Sequence, residues 1–371
     1  MKIGVDAGCL GVVDERLKVG VYTVAYQLLL HLSKIDKENT YYLYSFYPID
    51  ASYMNLLGER MKNVVLPTKG WLKLWLPLAL LKDRPDIFLA FGQAIPKTFL
   101  PKMKILGYIY DIAFEKYPQF YPDSYAKLHS NTANVAKKAD HIITLSIASK
   151  NDIVDFYSLD RKKISAIYLG ARDLSSLLSS QQKINGKYFL FVGALKRSKN
   201  VTTCLNAFAK FCKDSTSTEK LIIVGGNKWV DPEIKTVFDE LPKQIQKRID
   251  FVGFIDDATL SNLYANATAL LSPSFYEGFG LPVVEAMKSG CPVLVSQNGS
   301  LPEIVGKAGI ISEATDYVMW AHTMKGLAED KKKQEVFRKR GKIQAKHFTW
   351  EACAKQTLKT IKRVATNTYE T

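Results

Sequence analysis

The sequence lacks the features that mark membrane-spanning and secreted proteins. No segment approaches the roughly 20 apolar residues that a helix needs to cross a bilayer. The best apolar run, residues 75–81, is short and is closed by Lys82. The N-terminal residues 1–6 contain no apolar core of a signal peptide and instead predict a buried strand. We therefore expect a soluble protein or one that is attached peripherally to a membrane.

Cysteine is scarce and shows no pattern. The five cysteines are odd in number, lack any C-x-x-C spacing and mostly lie in apolar segments: Cys9, Cys204, Cys212, Cys291 and Cys353. Disulfide frameworks and zinc sites both depend on paired, regularly spaced cysteines. A reducing compartment is the simpler expectation. We predict a cytoplasmic location, with the inner face of the membrane as the place of any peripheral contact.

Acidic residues are in the minority. The 371 residues include 36 Asp and Glu against 51 Lys and Arg, a formal net charge of +15, which favours anionic partners. Nucleic acid is not the expected partner, because the charge carries no interleaved aromatic or helix-turn-helix pattern. The length indicates two domains, and the hydrophobic content of 47% excludes wholesale disorder.

Short apolar runs alternate with helix-like segments along the chain. This rhythm predicts an α/β fold with parallel sheets covered on both faces and with sites at the carboxyl ends of the strands. The clearest shift in composition is the serine- and glutamine-rich stretch 173–185. We therefore predict domains at residues 1–172 and 173–349, followed by a C-terminal helix, 350–371, that returns to the first domain.

Residues 70–81 are rich in tryptophan and leucine, with Lys73 inside the segment and Lys82 directly after it. The favoured interpretation is a helix that faces the core. The alternative is an amphipathic segment that touches a membrane surface.

The stretch 272–290 carries the most informative pattern. An apolar run is followed by Gly278 and Gly280, and a helix is predicted to begin at Leu281 because Pro282 suits a first helical turn. A strand, a glycine loop and a helix N-terminus direct unpaired N–H groups and the positive end of a helix dipole to one point. We expect an anion there, with phosphate as the natural occupant.

Residues 277–285, Glu-Gly-Phe-Gly-Leu-Pro-Val-Val-Glu, resemble the E-x7-E motif of the retaining glycosyltransferases of family 4. The similarity continues through residues 192–200, which resemble the phosphate-binding stretch of that family. Residues 3–6, together with Gly20, resemble the N-terminal segment with which sequences of the family begin. It covers nearly the whole chain. The family has the GT-B fold. The resemblance therefore implies two Rossmann-like doubly wound domains that face each other across a cleft, the first for the acceptor and the second for the donor.

The resemblance also implies transfer of a sugar from a nucleotide-sugar donor to an acceptor hydroxyl, with retention at the anomeric carbon. Glu285 would bind the nucleotide ribose and Glu277 the sugar hydroxyls. The backbone of Phe279, Gly280 and Leu281 would lie near the sugar and the phosphates. Carboxylates suit such roles because they accept hydrogen bonds from vicinal hydroxyls and so orient the substrate.

By the same resemblance, Gly20 and Gly193 would contribute to donor binding, and Lys199 and Arg197 would neutralise the diphosphate. The family carries a first basic residue after the Val-Gly pair, and in this chain either Lys196 or Arg197 corresponds to it. No D-x-D sequence occurs in the chain, so the usual acidic metal bridge to a diphosphate is missing. Fixed cations stabilise the charge that builds on a leaving group when they are already in place. We therefore expect no metal and no cofactor, with the nucleotide sugar as substrate.

Taken singly, these residues also have plain structural interpretations. Glu285 would be a favourable charge in the first turn of a helix, and Lys199 a solvated loop residue. Glu303 is interpreted as the partner of Ser300 in a capping box rather than as a ligand. The paired spacing of the glutamates, together with the second cationic loop, favours the functional interpretation.

Tyr110 departs from the family pattern. The family commonly carries a histidine at this strand end, near the transferred sugar, whereas this chain has Tyr110 before Asp111. Tyrosine can donate a hydrogen bond but cannot be a cation at neutral pH. The prediction is a metal-independent retaining transferase with a UDP- or GDP-linked donor and a glycan or lipid-linked acceptor. The alternative is a nucleotide-sugar-binding protein of weak or no activity.

Overall fold

The computed structural model describes residues 1–12, 20–92, 95–96, 100, 102–174, 177, 186–226 and 231–367. The chain divides into two compact units. Unit 1 comprises Met1–Gly170 with Thr349–Thr371, and unit 2 comprises Ala171–Phe348. Most of the stretch 173–185, where composition predicts the domain boundary, lies outside the described residues.

Both units consist of short strands separated by helices. The strands of the described residues are β1 (Lys2–Asp6), β2 (Thr40–Ser45), β3 (Met61–Val65), β4 (Ile87–Ala90), β5 (Lys104–Tyr108), β6 (His141–Thr144), β7 (Ile164–Ala166), β8 (Tyr188–Val192), β9 (Lys220–Val224), β10 (Ile249–Gly253), β11 (Ala269–Ser272), β12 (Val293–Ser296) and β13 (Ile310–Ser312). The α-helices are α1 (Val21–Ile35), α2 (Ala51–Leu57), α3 (Leu76–Asp83), α4 (Ala113–Lys116), α5 (Tyr125–Lys138), α6 (Ile147–Tyr157), α7 (Val201–Asp214), α8 (Pro232–Glu240), α9 (Lys243–Gln246), α10 (Asp257–Asn266), α11 (Leu281–Lys288), α12 (Leu301–Val305), α13 (Tyr317–Glu329), α14 (Lys331–Ala345) and α15 (Trp350–Thr366).

Unit 1 contains a parallel sheet in the order β3-β2-β1-β4-β5-β6-β7. β1 pairs with β2 on one side and with β4 on the other, so the strand order reverses at β1. Its strands are buried, with Ile3, Val5, Phe88 and Leu89 fully inaccessible, as expected of parallel strands covered on both faces. Loops that leave the carboxyl ends of strands at such a reversal are the usual location of ligand sites.

The C-terminal helix α15 belongs to unit 1. It packs against α1 and also contacts β4 and β5. Its apolar face is buried, as Ile361 and Val364 show. The chain comes very close to the start of this helix at Gly170, where a Cβ would lie 2.2 Å from the backbone nitrogen of Trp350. A glycine is therefore required at that position.

Unit 2 contains a second parallel sheet in the order β10-β9-β8-β11-β12-β13. β8 lies between β9 and β11, so the order reverses at β8. The core is aromatic on one face, where the rings of Phe189 and Phe211 meet edge-on with centroids 5.2 Å apart. The loops that follow β8 and β11 therefore leave neighbouring strands at the reversal, which positions the candidate site.

The predicted α/β class with parallel sheets is confirmed, and the differences lie at the ends of elements. The strand β5 ends at Tyr108, so Tyr110, which the sequence places at a strand end, lies two residues beyond it. The segment predicted as a core-facing helix over 70–81 forms a π-helical turn, Trp71–Trp75, followed by α3. Among the described residues, no helix combines the length and hydropathy that a membrane span requires.

A buried histidine links α15 to the sheet of unit 1. The imidazole Nε2 of His141 lies 2.8 Å from Ser165 Oγ in β7 and 2.9 Å from a guanidinium nitrogen of Arg363 in α15. Burial, and then the positive charges of Arg363, Lys150 and Lys163, lower the pKa of His141 to about 4. The histidine is therefore neutral in the native protein at neutral pH.

We predict that this histidine makes the protein less stable in mild acid. Between pH 6.5 and 4 the unfolded chain accepts a proton that the native chain refuses, so lowering the pH from 7 to 5 should cost about 2 kcal/mol of unfolding free energy. Urea denaturation at the two pH values measures this loss. The loss should be smaller in His141→Gln and unchanged in the control His322→Gln, which alters an exposed histidine. Equal losses in both variants would contradict the assignment.

Candidate functional site

Two loops of unit 2 form the candidate site. The glycine loop, residues 273–280, connects β11 to α11, and the basic loop, residues 193–200, connects β8 to α7. A backbone hydrogen bond of 2.9 Å from Phe275 N to Ser198 O joins them. The two loops are thus held side by side at the carboxyl edge of the sheet.

The glycine loop ends at a helix start that requires glycine. Gly280 has a φ of 90°, a left-handed conformation, and a Cβ there would lie 2.8 Å from Leu301 Cδ2. α11 begins at Leu281 with Pro282 in its first turn, as predicted. The first N–H groups of a helix have no acceptor within the helix, so this terminus favours a negatively charged group.

Asn200 fixes the basic loop. It adopts a left-handed conformation with a φ of 53° at the start of α7. Its amide nitrogen donates to the carbonyl oxygens of Pro273 (3.0 Å) and Ala314 (2.8 Å), and the side chain is almost fully buried. The preceding residue, Lys199, is therefore held in a defined position relative to the glycine loop.

The structure brings Lys199 and Glu277 together. The Lys199 ammonium donates a hydrogen bond of 2.5 Å to Glu277 Oε1, and the Ser274 hydroxyl donates one of 2.9 Å to the same oxygen. Both charged side chains are largely shielded from water, with 26% and 14% of their surface exposed. This shielded ion pair does not fit the interpretation of Lys199 as a solvated loop residue.

The backbone of Glu277 is held from the other side. Its carbonyl oxygen accepts bonds from both the N–H and the hydroxyl of Ser300, each 3.0 Å long. A Cβ on Gly299 would lie 2.5 Å from that oxygen. The capping box predicted for Ser300 and Glu303 is therefore wrong, since the Ser300 hydroxyl makes no capping bond to α12 and supports the glycine loop instead.

Arg197 points away from this pair. Its guanidinium forms an ion pair of 2.5 Å with Glu233 of α8, and both side chains are substantially exposed. Gly193 lies directly after β8, and a Cβ on Gly225, which directly follows the neighbouring strand β9, would lie 2.1 Å from the Gly193 carbonyl oxygen. Among the predicted phosphate-binding residues, Lys199 is thus beside the glycine loop, whereas Arg197 faces α8.

Glu285 is a buried carboxylate with an arginine partner. It lies in the second turn of α11, so its interpretation as a first-turn charge is wrong. Arg172 donates to both carboxylate oxygens, over 2.7 Å and 3.3 Å, and also to Asp257 over 2.6 Å. Tyr264 donates more weakly over 3.4 Å. Burial raises the pKa of Glu285 and Arg172 opposes that rise, with a net shift upward.

Arg172 is a residue that sequence reasoning missed. It lies directly before the predicted domain boundary, and an isolated arginine in a turn carries no local pattern. Its partner is 113 residues away in the chain. The spacing of the two glutamates could indicate that a cation was needed near Glu285, but not which one.

Two further predicted residues lie in unit 1. The Tyr110 hydroxyl donates to the carbonyl oxygen of Phe91 over 3.0 Å. Burial, with the nearby Cys9, Tyr108 and Asp6, raises the pKa of Tyr110 well above its usual value, so the phenol is neutral.

Gly20 precedes α1 with a φ of 56°. Residues 13–19, which lead into this turn, lie outside the described part of the chain. The contribution of Gly20 to donor binding stays a prediction.

Comparison with known proteins agrees with this geometry. Residues 178–344 match the family described as Glycosyl transferases group 1. O-antigen chain mannosyltransferase B from Escherichia coli is 30% identical over 280 residues, which span 72% of this chain and 73% of that protein. The chain belongs to the glycosyl transferases group 1 family. The predicted family is thereby confirmed.

Solved structures confirm the GT-B fold of this glycosyltransferase, with its two Rossmann-like domains. Sucrose-phosphate synthase from Thermosynechococcus elongatus is similar with a TM-score of 0.77 and 18% identity, covering 99% of this chain and 100% of that chain. HepE from Anabaena, in complex with UDP and glucose, is similar with a TM-score of 0.73 and 18% identity, covering 98% of this chain and 99% of that chain.

We predict that Arg172 stabilises the glycosyltransferase by neutralising Glu285. Arg172→Gln should lower the unfolding free energy by about 2 kcal/mol at pH 7, because it leaves a buried carboxylate without its charged donor. The deficit should shrink as the pH falls toward 5, since protonation of a carboxyl with a raised pKa removes the uncompensated charge.

Urea denaturation of two further variants tests this assignment. The double variant Arg172→Gln/Glu285→Gln should recover part of the loss, because no buried charge is left unpaired. Lys288→Gln is the matched control, as that lysine contacts Ala171 and Asp173 rather than Glu285. A deficit in Arg172→Gln that is independent of pH and of the second substitution would show that Arg172 acts only through packing.

Proposed function

We propose that the protein is a retaining glycosyltransferase that moves a sugar from a UDP- or GDP-linked donor to a hydroxyl of a glycan or lipid-linked acceptor, without a metal. The observation that carries the proposal is the Lys199–Glu277 pair between the basic loop and the glycine loop, held by Asn200 and Ser300. A cation and a carboxylate beside a loop that leads into a helix N-terminus suit the diphosphate and the hydroxyls of a nucleotide sugar.

The relatives support this assignment of substrates. The Escherichia coli relative is an O-antigen chain mannosyltransferase, which favours a hexose as the transferred group and a glycan as the acceptor. HepE is described in complex with UDP and glucose, which favours a nucleoside diphosphate in the donor site of unit 2. The proposed donor is a sugar linked to either UDP or GDP.

Lys199 would take the place of a metal. An ammonium group has three N–H donors, and the bond to Glu277 uses one of them. The others can bind the diphosphate, whose negative charge grows as the bond to the anomeric carbon breaks. The positive end of α11 would act on the same phosphate oxygens.

The glutamates would orient the donor rather than react with it. Glu277 would accept hydrogen bonds from sugar hydroxyls, and Glu285 from the ribose. The acceptor oxygen would bond to the anomeric carbon on the face that the diphosphate leaves. Its proton would pass to the departing phosphate, so that no protein base is required.

One observation favours a second candidate function, that of a nucleotide-sugar-binding protein with weak or no activity. Tyr110 replaces the histidine that the family commonly carries, and its hydroxyl is engaged by the Phe91 carbonyl. A neutral phenol in this state supplies no positive charge near the transferred sugar.

Transfer assays with a panel of UDP- and GDP-sugars distinguish the two candidates. We expect turnover that persists in the presence of a chelator and that falls by about 100-fold or more in Lys199→Ala, because a donor to the transition-state charge is lost. Glu277→Ala should fall as well.

Lys220→Gln is the matched control, since it removes an exposed lysine that pairs with Asp250 over 3.0 Å. Tight nucleotide binding without turnover of any donor would favour the binding protein. Loss of turnover on chelation that added Mg²⁺ or Mn²⁺ restores would contradict metal independence.

A further inference from the structure

One helical segment of unit 1 exposes a row of large apolar side chains. This apolar face consists of Leu74, Trp75, Leu78 and Leu81, which are 48%, 36%, 49% and 36% exposed. They lie in the π-helical turn Trp71–Trp75 and in α3. Leu78 follows Leu74 by four residues and Trp75 by three, and Leu81 follows Leu78 by three, spacings that place side chains next to each other on one side of a helix. The four side chains therefore form one continuous strip.

The opposite side of the same segment is anchored in the core. Trp71, Leu76 and Leu80 are buried, and the ring of Trp71 packs on that of Phe46 with centroids 4.3 Å apart. A helix that covers a core normally presents polar residues to water on its outer side. This one is apolar on both sides, so burial within unit 1 does not explain its outer residues. Exposed apolar patches of this kind mark interaction sites.

The surroundings of the apolar face are basic. Lys69, Lys73, Lys82 and Arg84 are exposed around it, and residues 66–82 contain no aspartate or glutamate. The adjacent Asp83 is half-buried, and its carboxylate accepts a hydrogen bond from the Tyr44 hydroxyl. A second copy of the chain would bring the same positive charge to this surface and would be repelled. A partner with an apolar interior and negatively charged groups at its boundary fits both features, and an anionic bilayer has this composition.

Trp75 has the arrangement expected at a lipid interface. Its indole N–H donates to the carbonyl oxygen of Lys69 over 3.1 Å, which satisfies the polar atom and leaves part of the ring exposed. Tryptophan is enriched at the boundary between lipid and water, and lysine side chains extend their charged ends toward headgroups.

We propose that the apolar face docks the protein peripherally on an anionic lipid surface, with Leu74, Trp75, Leu78 and Leu81 among the acyl chains and the flanking basic residues at the headgroups. The strip is too short to span a bilayer and lies along the surface instead. This inference does not rest on the proposed sugar transfer, because it concerns a different surface and needs no donor.

Vesicle sedimentation tests the proposal. The intact protein should sediment with vesicles of phosphatidylglycerol and phosphatidylcholine but much less with phosphatidylcholine alone, and added salt should release it. Leu74→Ser/Leu78→Ser should weaken binding at least about tenfold, since two apolar side chains no longer enter the lipid. Lys73→Gln/Lys82→Gln should weaken it as well. Trp75 fluorescence should shift to shorter wavelength when anionic vesicles are added.

The matched control is Val318→Ser/Met319→Ser, which alters two side chains of unit 2 that are 46% and 49% exposed. It should bind vesicles as the wild type does. The proposal is overturned if wild-type protein stays in the supernatant with anionic vesicles, or if the leucine variant sediments equally well. It is also overturned if sedimentation velocity shows a dimer that the leucine variant abolishes, because the face would then join two copies.

Discussion

The ion pair between Lys199 and Glu277 is the interaction around which the candidate site of unit 2 is built. It needs two loops from neighbouring strands to lie within hydrogen-bonding distance, and the reversal of strand order at β8 provides this. Asn200 then ties the basic loop to Pro273, while Ser300 holds the backbone of Glu277. Gly280 and Gly299 are glycines because a Cβ on Gly280 would lie 2.8 Å from Leu301 Cδ2 and a Cβ on Gly299 would lie 2.5 Å from the carbonyl oxygen of Glu277. The consequence is a shielded cation beside the loop that leads into α11.

The two carboxylates of the motif differ in burial and in the cation that each one contacts. Glu277 is partly accessible and pairs with Lys199, whereas Glu285 is buried and held by Arg172 at two oxygens. Burial alone would favour a neutral carboxyl, and the arginine opposes this. Two residues that look equivalent in the motif therefore have different electrostatic environments.

Much of the fold could be predicted from local patterns. Parallel strands buried on both faces appear as continuous apolar runs, and the helix start at Leu281 follows from Pro282 and the preceding glycines. The predictions were less accurate where several structures satisfy the same pattern. Residues 70–81 are apolar on both sides, so periodicity could not separate a core face from an exposed one. Ser300 and Glu303 have the spacing of a capping box, but the hydroxyl found a better acceptor in the loop next to it.

The sequence by itself determined the class of fold, the family and the pairing of a glycine loop with a helix N-terminus, because these depend on neighbouring residues. The tertiary structure alone decided which cation meets which carboxylate. Lys199 reaches Glu277, Arg197 reaches Glu233, and Arg172 reaches Glu285 across 113 residues of chain. The tertiary structure also brings the hydroxyl of Tyr110 to the carbonyl oxygen of Phe91, to which it donates a hydrogen bond. Such contacts join residues far apart in the chain, and no local spacing records them.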